Sequence, residues 1–138
     1  MPANIIPTLK YKNAPAMIDW LGRAFGFEKH AVYADGDTVH HAELTLGGGM
    51  IMLGSAKDDA FGKMQVPPAG PDATVTQGAY IIVPDADAHH ARAVAAGARV
   101  VRELKTEDYG GRGYSCRDPE GQLWNFGTYD PWKPAAEA

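Results

Sequence analysis

The sequence predicts an α+β chain made of two tandem βαβββ modules. Its 138 residues suit one domain, or two small halves sharing a core, because domains run to about 100–150 residues. An order of strand, helix and three strands occurs twice. When Lys12-Asn13-Ala14 is set against Pro84-Asp85-Ala86, the helix caps fall 72 residues apart. That offset marks a duplication of element order with little residue identity. A content of 45% apolar and 22% charged residues excludes disorder and fibres.

Each element has a local reason. Residues 5–11 are rich in Ile, Leu and Tyr and read as a strand, with Pro7 pointing to an edge or bulge. Asn13 caps the following helix, and Pro15 fits its first turn. Met17, Trp20, Leu21, Ala24 and Phe25 recur at helical spacing, and Gly26 supplies a left-handed end. Residues 27–33 and 39–46 read as strands joined by Ala34-Asp35-Gly36-Asp37, and Gly47-Gly48-Gly49 turns the chain into a strand at 50–53. Residues 55–77, with Pro67-Pro68 and Gly70-Pro71, show no period and read as the joint between halves and a candidate cover for a site. Residues 79–83 open the second half, and Asp85 or Asp87 caps a helix ending at Gly97 with Ala91, Val94 and Ala95 as its buried stripe. Strands at 99–104, 113–117 and 123–129 complete it, with the turn Asp118-Pro119-Glu120-Gly121 before the last.

Charge and cysteine content narrow the partners. A net charge of −4 lacks the basic footprint that nucleic acid requires. No signal peptide is expected at residues 1–12, and no apolar run approaches a membrane span. Cys116, alone, forms no internal disulfide and reads as a packed thiol in a cytoplasmic protein.

The doubled βαβββ order, with Asn-Ala-Pro-Ala-Met-Ile-Asp-Trp-Leu leading to Ala-Phe-Gly-Phe-Glu, resembles the vicinal oxygen chelate superfamily of glyoxalases, bleomycin-resistance proteins and extradiol dioxygenases. Val-Pro-Asp-Ala-Asp-Ala and Arg-Asp-Pro-Glu-Gly-Gln-Leu-Trp-Asn-Phe in the second half carry the same likeness, which spans about residues 4–130. It implies modules at about 4–54 and 78–130, a link at 55–77, a tail at 131–138, curled mixed sheets enclosing a shared cavity, and a homodimer. Family enzymes hold a divalent metal with His or Gln on a module's first strand and Glu on its last. Carried onto this chain, those positions fall on Ile6, Met52, Ala79 and Asn125. Three apolar side chains and one amide make no site for a hard or borderline cation. No metal or other cofactor is therefore expected. The reading that follows is a metal-free protein that binds and sequesters a drug or metabolite, hydrophobic or aromatic in character.

Strand alternation nominates the lining of that site. Lys10, Met50, Met52 and Asn125 face the cavity if Ile6 does, and Tyr33 joins them. Ile5, Leu9, Tyr11, Trp124 and Phe126 then face the helices. His41 and Glu43 alternate with Ala42 and Leu44, so they point to the cavity or to solvent. They suit proton transfer, or two ligands of a displaced metal, the basis of an alternative: a metal-dependent lyase or dioxygenase with non-standard ligands. His40 is expected at the core or an edge, and His89 and His90 on the surface. The stretch 109–114, with Tyr109, Arg112 and Tyr114, reads as a hairpin loop or a cover over a ligand. Trp132 is expected to pack the tail or a partner chain.

Overall fold

The first helix, α1 (Ala14–Phe25), is fixed at both ends by its sequence. The Asn13 side chain accepts a hydrogen bond from Ala16 N at 3.2 Å, filling one of the donors a helix start leaves open. At the other end Gly26 adopts φ +93° and Phe27 N donates to Leu21 O, a left-handed stop that glycine adopts without strain. Between them Met17, Ile18, Trp20, Leu21, Ala24 and Phe25 are buried, with Trp20 edge-on to Phe25 at 5.0 Å.

This computed structural model describes residues 2–133. The chain divides into two compact units, Met1–Pro67 and Pro68–Ala138. The first holds β1 (Thr8–Tyr11), α1, β2 (Glu28–Asp35), β3 (Thr38–Leu46) and β4 (Gly49–Ser55). Its sheet runs β1-β4-β3-β2, with β1 parallel to β4 and the other pairs antiparallel. Tyr11, Val39, Ala42, Leu44, Ile51 and Leu53 are buried on the helix side.

Two expectations change here. The first strand starts at Thr8, and Ile5, expected against the helix, is 91% exposed; Pro7 has no N–H for a ladder, although its carbonyl accepts from Met52 N. His40, expected at the core or an edge, is exposed. Tyr33 pairs with His41 while Ala34 pairs with Val39, so His40 is the extra residue of a bulge in an inner strand. Its Nδ1 accepts from Lys57 Nζ at 2.8 Å.

The second unit repeats the plan with β5 (Ala79–Ile82), α2 (Ala86–Ala95), β6 (Arg99–Thr106), β7 (Arg112–Arg117) and β8 (Leu123–Gly127). Its sheet order, β5-β8-β7-β6, with β5 parallel to β8, matches that of the first. The chain therefore has the α+β, tandem βαβββ fold its sequence predicts. The loop between β4 and β5 is tied to both units. Gln65 Nε2 donates to Thr8 O at 2.9 Å in the first, and Arg117 Nη1 to Ala73 O at 2.6 Å in the second.

The second helix departs from the expected phase. Asp85 is the cap, accepting from Ala88 N at 3.0 Å, while Asp87 turns to Arg112. Ala91, Val94 and Ala95 face solvent, and the buried stripe is Ala86 and Ala93 with His89 and His90 half-buried between them. These four stand at i, i+3, i+4 and i+7, one face of a helix. The histidines are not surface residues because alanines are too short to cover the sheet. His89 lies 4.2 Å from the Phe126 ring, its Nδ1 hydrogen-bonded to the Tyr114 hydroxyl at 2.6 Å. His90 meets Tyr114 edge-on at 4.9 Å, and its buried Nε2 has no hydrogen-bond partner among the described residues.

Asp118 explains why the turn before β8 has its sequence. It is fully buried. One carboxylate oxygen accepts from Glu120 N at 3.0 Å and Gln122 N at 3.1 Å, and the other from Trp124 Nε1 at 3.0 Å. The turn thereby clamps the indole that, with Phe126, Tyr114 and Cys116, fills the core under α2. Among the described residues no helix is long and apolar enough to cross a membrane.

Candidate functional site

On the first sheet, strand register brings several of the nominated residues to the face opposite α1. Tyr33 pairs with His41, Glu43 with Met52, and Thr45 with Met50. Tyr33 is 61% exposed and stacks on His41 at 6.1 Å. His41 Nε2 donates to Glu43 at 2.8 Å, and His30 Nε2 stands 3.9 Å from the other carboxylate oxygen. His30 is a bulge residue: Lys29 pairs with Leu44 and Ala31 with Glu43. Strict alternation gave no signal that it belongs to this group. Lys10, nominated to meet an anion, places its ammonium 5.3 Å from the centre of the Phe61 ring.

The residues at the positions of a family metal do not fit one. Ile6 precedes β1, and Met52 presents a thioether beside Glu43. Asn125 is held on both polar atoms: its carbonyl oxygen accepts from Ser115 Oγ at 2.6 Å, and its amide donates to Ala79 O at 3.1 Å. The residue paired with Asn125 on β5 is Tyr80, one position beyond Ala79. Among the described residues no three His, Cys, Asp or Glu side chains are placed to hold a metal ion.

Asn125 instead belongs to a cleft of about 150 Å³ on the second sheet, on the face away from α2. The glycine pair Gly113 and Gly127 and the pair Ser115 and Asn125 form its floor. Tyr80 lies over Gly127, where an added Cβ would stand 2.7 Å from the phenol oxygen. The Tyr80 hydroxyl donates to Tyr129 O at 2.7 Å. Tyr109 meets Tyr129 edge-on at 4.9 Å, so two walls stand nearly at right angles. Burial, reinforced by neighbouring Tyr109 and Asp130, pushes the Tyr80 phenol up from its usual range, so it is neutral at physiological pH.

Charged side chains also line the cleft. Arg102 on β6 donates to Glu107 at 3.1 Å, and Lys105 lies 3.8 Å from the other oxygen of that mostly buried carboxylate. Arg112 turns away to Asp87, meeting both carboxylate oxygens through Nε at 3.1 and 3.2 Å. Sequence reasoning found Asn125 and the 109–114 loop but missed Tyr80, Arg102, Glu107 and Tyr129. Tyr80 sits in an apolar strand that resembles core; the register of β5 on β8, which puts it beside Asn125, is invisible without the partner strand.

A cavity of this volume matches one aromatic ring and falls below the roughly 300 Å³ of a drug-sized pocket. The cleft is therefore of one-ring size, walled by tyrosines and bordered by a guanidinium.

The family model described as Glyoxalase/Bleomycin resistance protein/Dioxygenase superfamily matches residues 8–126. TioX from Micromonospora sp. ML1 has a similar structure, with a TM-score of 0.72 and 32% identity, covering 91% of this chain and 98% of that one. An uncharacterized protein of Mycobacterium bovis, Mb0911c, is 30% identical over 122 residues, 88% of this chain and 80% of its own length. The fosfomycin resistance protein FosX of Mesorhizobium loti shares the fold at 15% identity and a TM-score of 0.62, covering 95% of each chain.

Proposed function

The chain belongs to the glyoxalase/bleomycin resistance protein/dioxygenase superfamily, and from that premise we propose that it is a metal-free binding protein that holds a small aromatic molecule without converting it. One observation carries the reading: where family enzymes place metal ligands this chain has Ile6, Met52, Ala79 and a doubly hydrogen-bonded Asn125, and beside Asn125 three tyrosines wall a cleft of one-ring size. Without a Lewis acid at those positions nothing there polarises an enediolate or activates dioxygen. What remains suits retention. The aromatic walls offer edge and face contacts worth about 0.5–1.5 kcal/mol each. On the first sheet, taken by itself, the thioethers of Met50 and Met52 and the ring of Tyr33 offer an adaptable apolar surface. A second copy of the chain is the proposed protein partner, and sequestration of a drug or metabolite the proposed role.

The test is a melting-temperature screen of the purified protein against aromatic compounds, followed by recovery of each binder. This reading expects stoichiometric binding and unchanged compound after long incubation. A stoichiometric metal, removed by chelator with loss of an activity, overturns it.

The His41–Glu43 pair, joined at 2.8 Å, favours a second reading, a metal-dependent lyase or dioxygenase with non-standard ligands, which needs a third ligand because among the described residues no three His, Cys, Asp or Glu side chains are placed to hold a metal ion. Replacing His41 and Glu43 by alanine would then abolish both turnover and metal retention; unchanged values remove this reading.

A further inference from the structure

We infer that the second-module cleft selects aromatic carboxylates over neutral aromatic molecules, with Arg102 as the residue that sets the preference. This rests on the proposed binding function and names the ligand class of its cleft.

The cleft has two chemically distinct ends. Tyr80 stands on β5, one edge of the sheet, with Gly127 beneath it and Tyr129 accepting its hydroxyl proton. Arg102 stands on β6, the other edge. The lining carries two guanidiniums and one carboxylate. Arg112 is held by Asp87 and by Thr106 Oγ1, and Glu107 is shared by Arg102 and Lys105. Arg102 has five N–H groups. One goes to Glu107, and no other partner meets it among the described residues. It therefore offers a planar set of donors that matches a carboxylate.

The tyrosine end rejects an anion. The Tyr80 hydroxyl donates to a backbone carbonyl, so its oxygen presents lone pairs to a ligand. Ser115 likewise gives its proton to Asn125. A ligand with its ring among the tyrosines and its carboxylate toward Arg102 meets both ends; the reverse orientation meets neither.

Isothermal titration of the full-length protein with benzoate and with benzamide tests this. Benzoate is expected to bind about ten-fold or more tightly than benzamide, the scale of one charge-assisted hydrogen bond, with the difference shrinking as salt rises. Arg102→Met should remove the preference, bringing benzoate affinity down to that of benzamide. Glu107→Gln, which frees the guanidinium, should tighten benzoate several-fold. Equal binding of the two compounds, or a preference that survives Arg102→Met, overturns the inference and leaves the binding function standing. If neither compound binds at any accessible concentration, this inference fails, and the screen against aromatic compounds separately decides the binding function. If Arg102→Met does not fold, Arg102→Gln and the Glu107→Gln result decide the question.

Discussion

Replacing Asp118 by alanine should be among the most damaging single changes in the second module. Its side chain is fully buried, and its carboxylate receives hydrogen bonds from two turn amides and from the Trp124 indole. Hydrogen bonds to a charged group contribute about 1.5–3 kcal/mol, and a buried donor left without an acceptor costs about 1–3 kcal/mol. Trp124 is 1% exposed, so water cannot replace the lost partner; the turn amides lie nearer the surface and recover part of theirs. The expected loss is about 3–5 kcal/mol, a large share of the 5–15 kcal/mol by which domains are stable. For a chain of this length that lowers Tm by roughly 10–15 °C. Urea unfolding of the wild type, Asp118→Ala, Trp124→Phe and the double variant isolates the indole bond, with a coupling of about 1–2 kcal/mol expected. A loss below about 1 kcal/mol for Asp118→Ala, or no coupling, would refute the view that this turn clamps the core.

Three further outcomes are expected. Gly127→Ala puts a methyl 2.7 Å from the Tyr80 phenol oxygen; the ring must move and its bond to Tyr129 O breaks, so binding of benzamide should weaken about ten-fold or more while Tm changes by only a few degrees. Unaltered affinity would mean the ring seat lies elsewhere. Burial, with help from the Asp118 charge, pushes the Cys116 thiol from 9.0 up to about 12. The unfolded chain therefore releases this proton first. Stability should fall as pH rises from about 9 towards 12, by at most about 1.4 kcal/mol per pH unit, and Cys116→Ala should show a shallower decline in urea unfolding at pH 8 to 10. An identical slope would contradict the assignment. Tyr114→Phe removes the 2.6 Å hydrogen bond between the hydroxyl and His89 Nδ1; a loss of about 1 kcal/mol in thermal unfolding is expected, and a neutral effect would mean the packing of His89 on Phe126 holds α2 without it.

Much of the fold was legible because local chemistry decides it. Asn13, Gly26 and the apolar spacing of α1 act within a few residues of one another, and the two-residue turns built on Gly36 and Gly47 need only a positive φ. What failed was decided by contacts distant in sequence. The phase of α2 follows from what its alanines leave uncovered on β7 and β8, so His89 and His90, polar by type, became packing rings. The bulges at His30 and His40 change the face a residue presents, and nothing in an alternating pattern announces an extra residue. The candidate site divides in the same way. Tyr33, His41, Glu43, Met50 and Met52 follow from alternation within single strands, whereas Tyr80, Arg102 and Tyr129 depend on which strands lie side by side. Lys10 was placed on the right strand, but its ammonium meets Phe61, a residue from the irregular loop.

The most direct test of the central claim is the melting temperature in chelator, then with Zn²⁺, Ni²⁺, Mn²⁺ and Fe²⁺ in turn, and finally with benzoate. A ligand at one hundred times its dissociation constant adds about 2.7 kcal/mol, roughly 5–10 °C for a chain of this length. No rise is expected with any metal, and the rise with benzoate should be reduced in Arg102→Met. A rise of that size with one metal, abolished in His41→Ala, would contradict the metal-free reading.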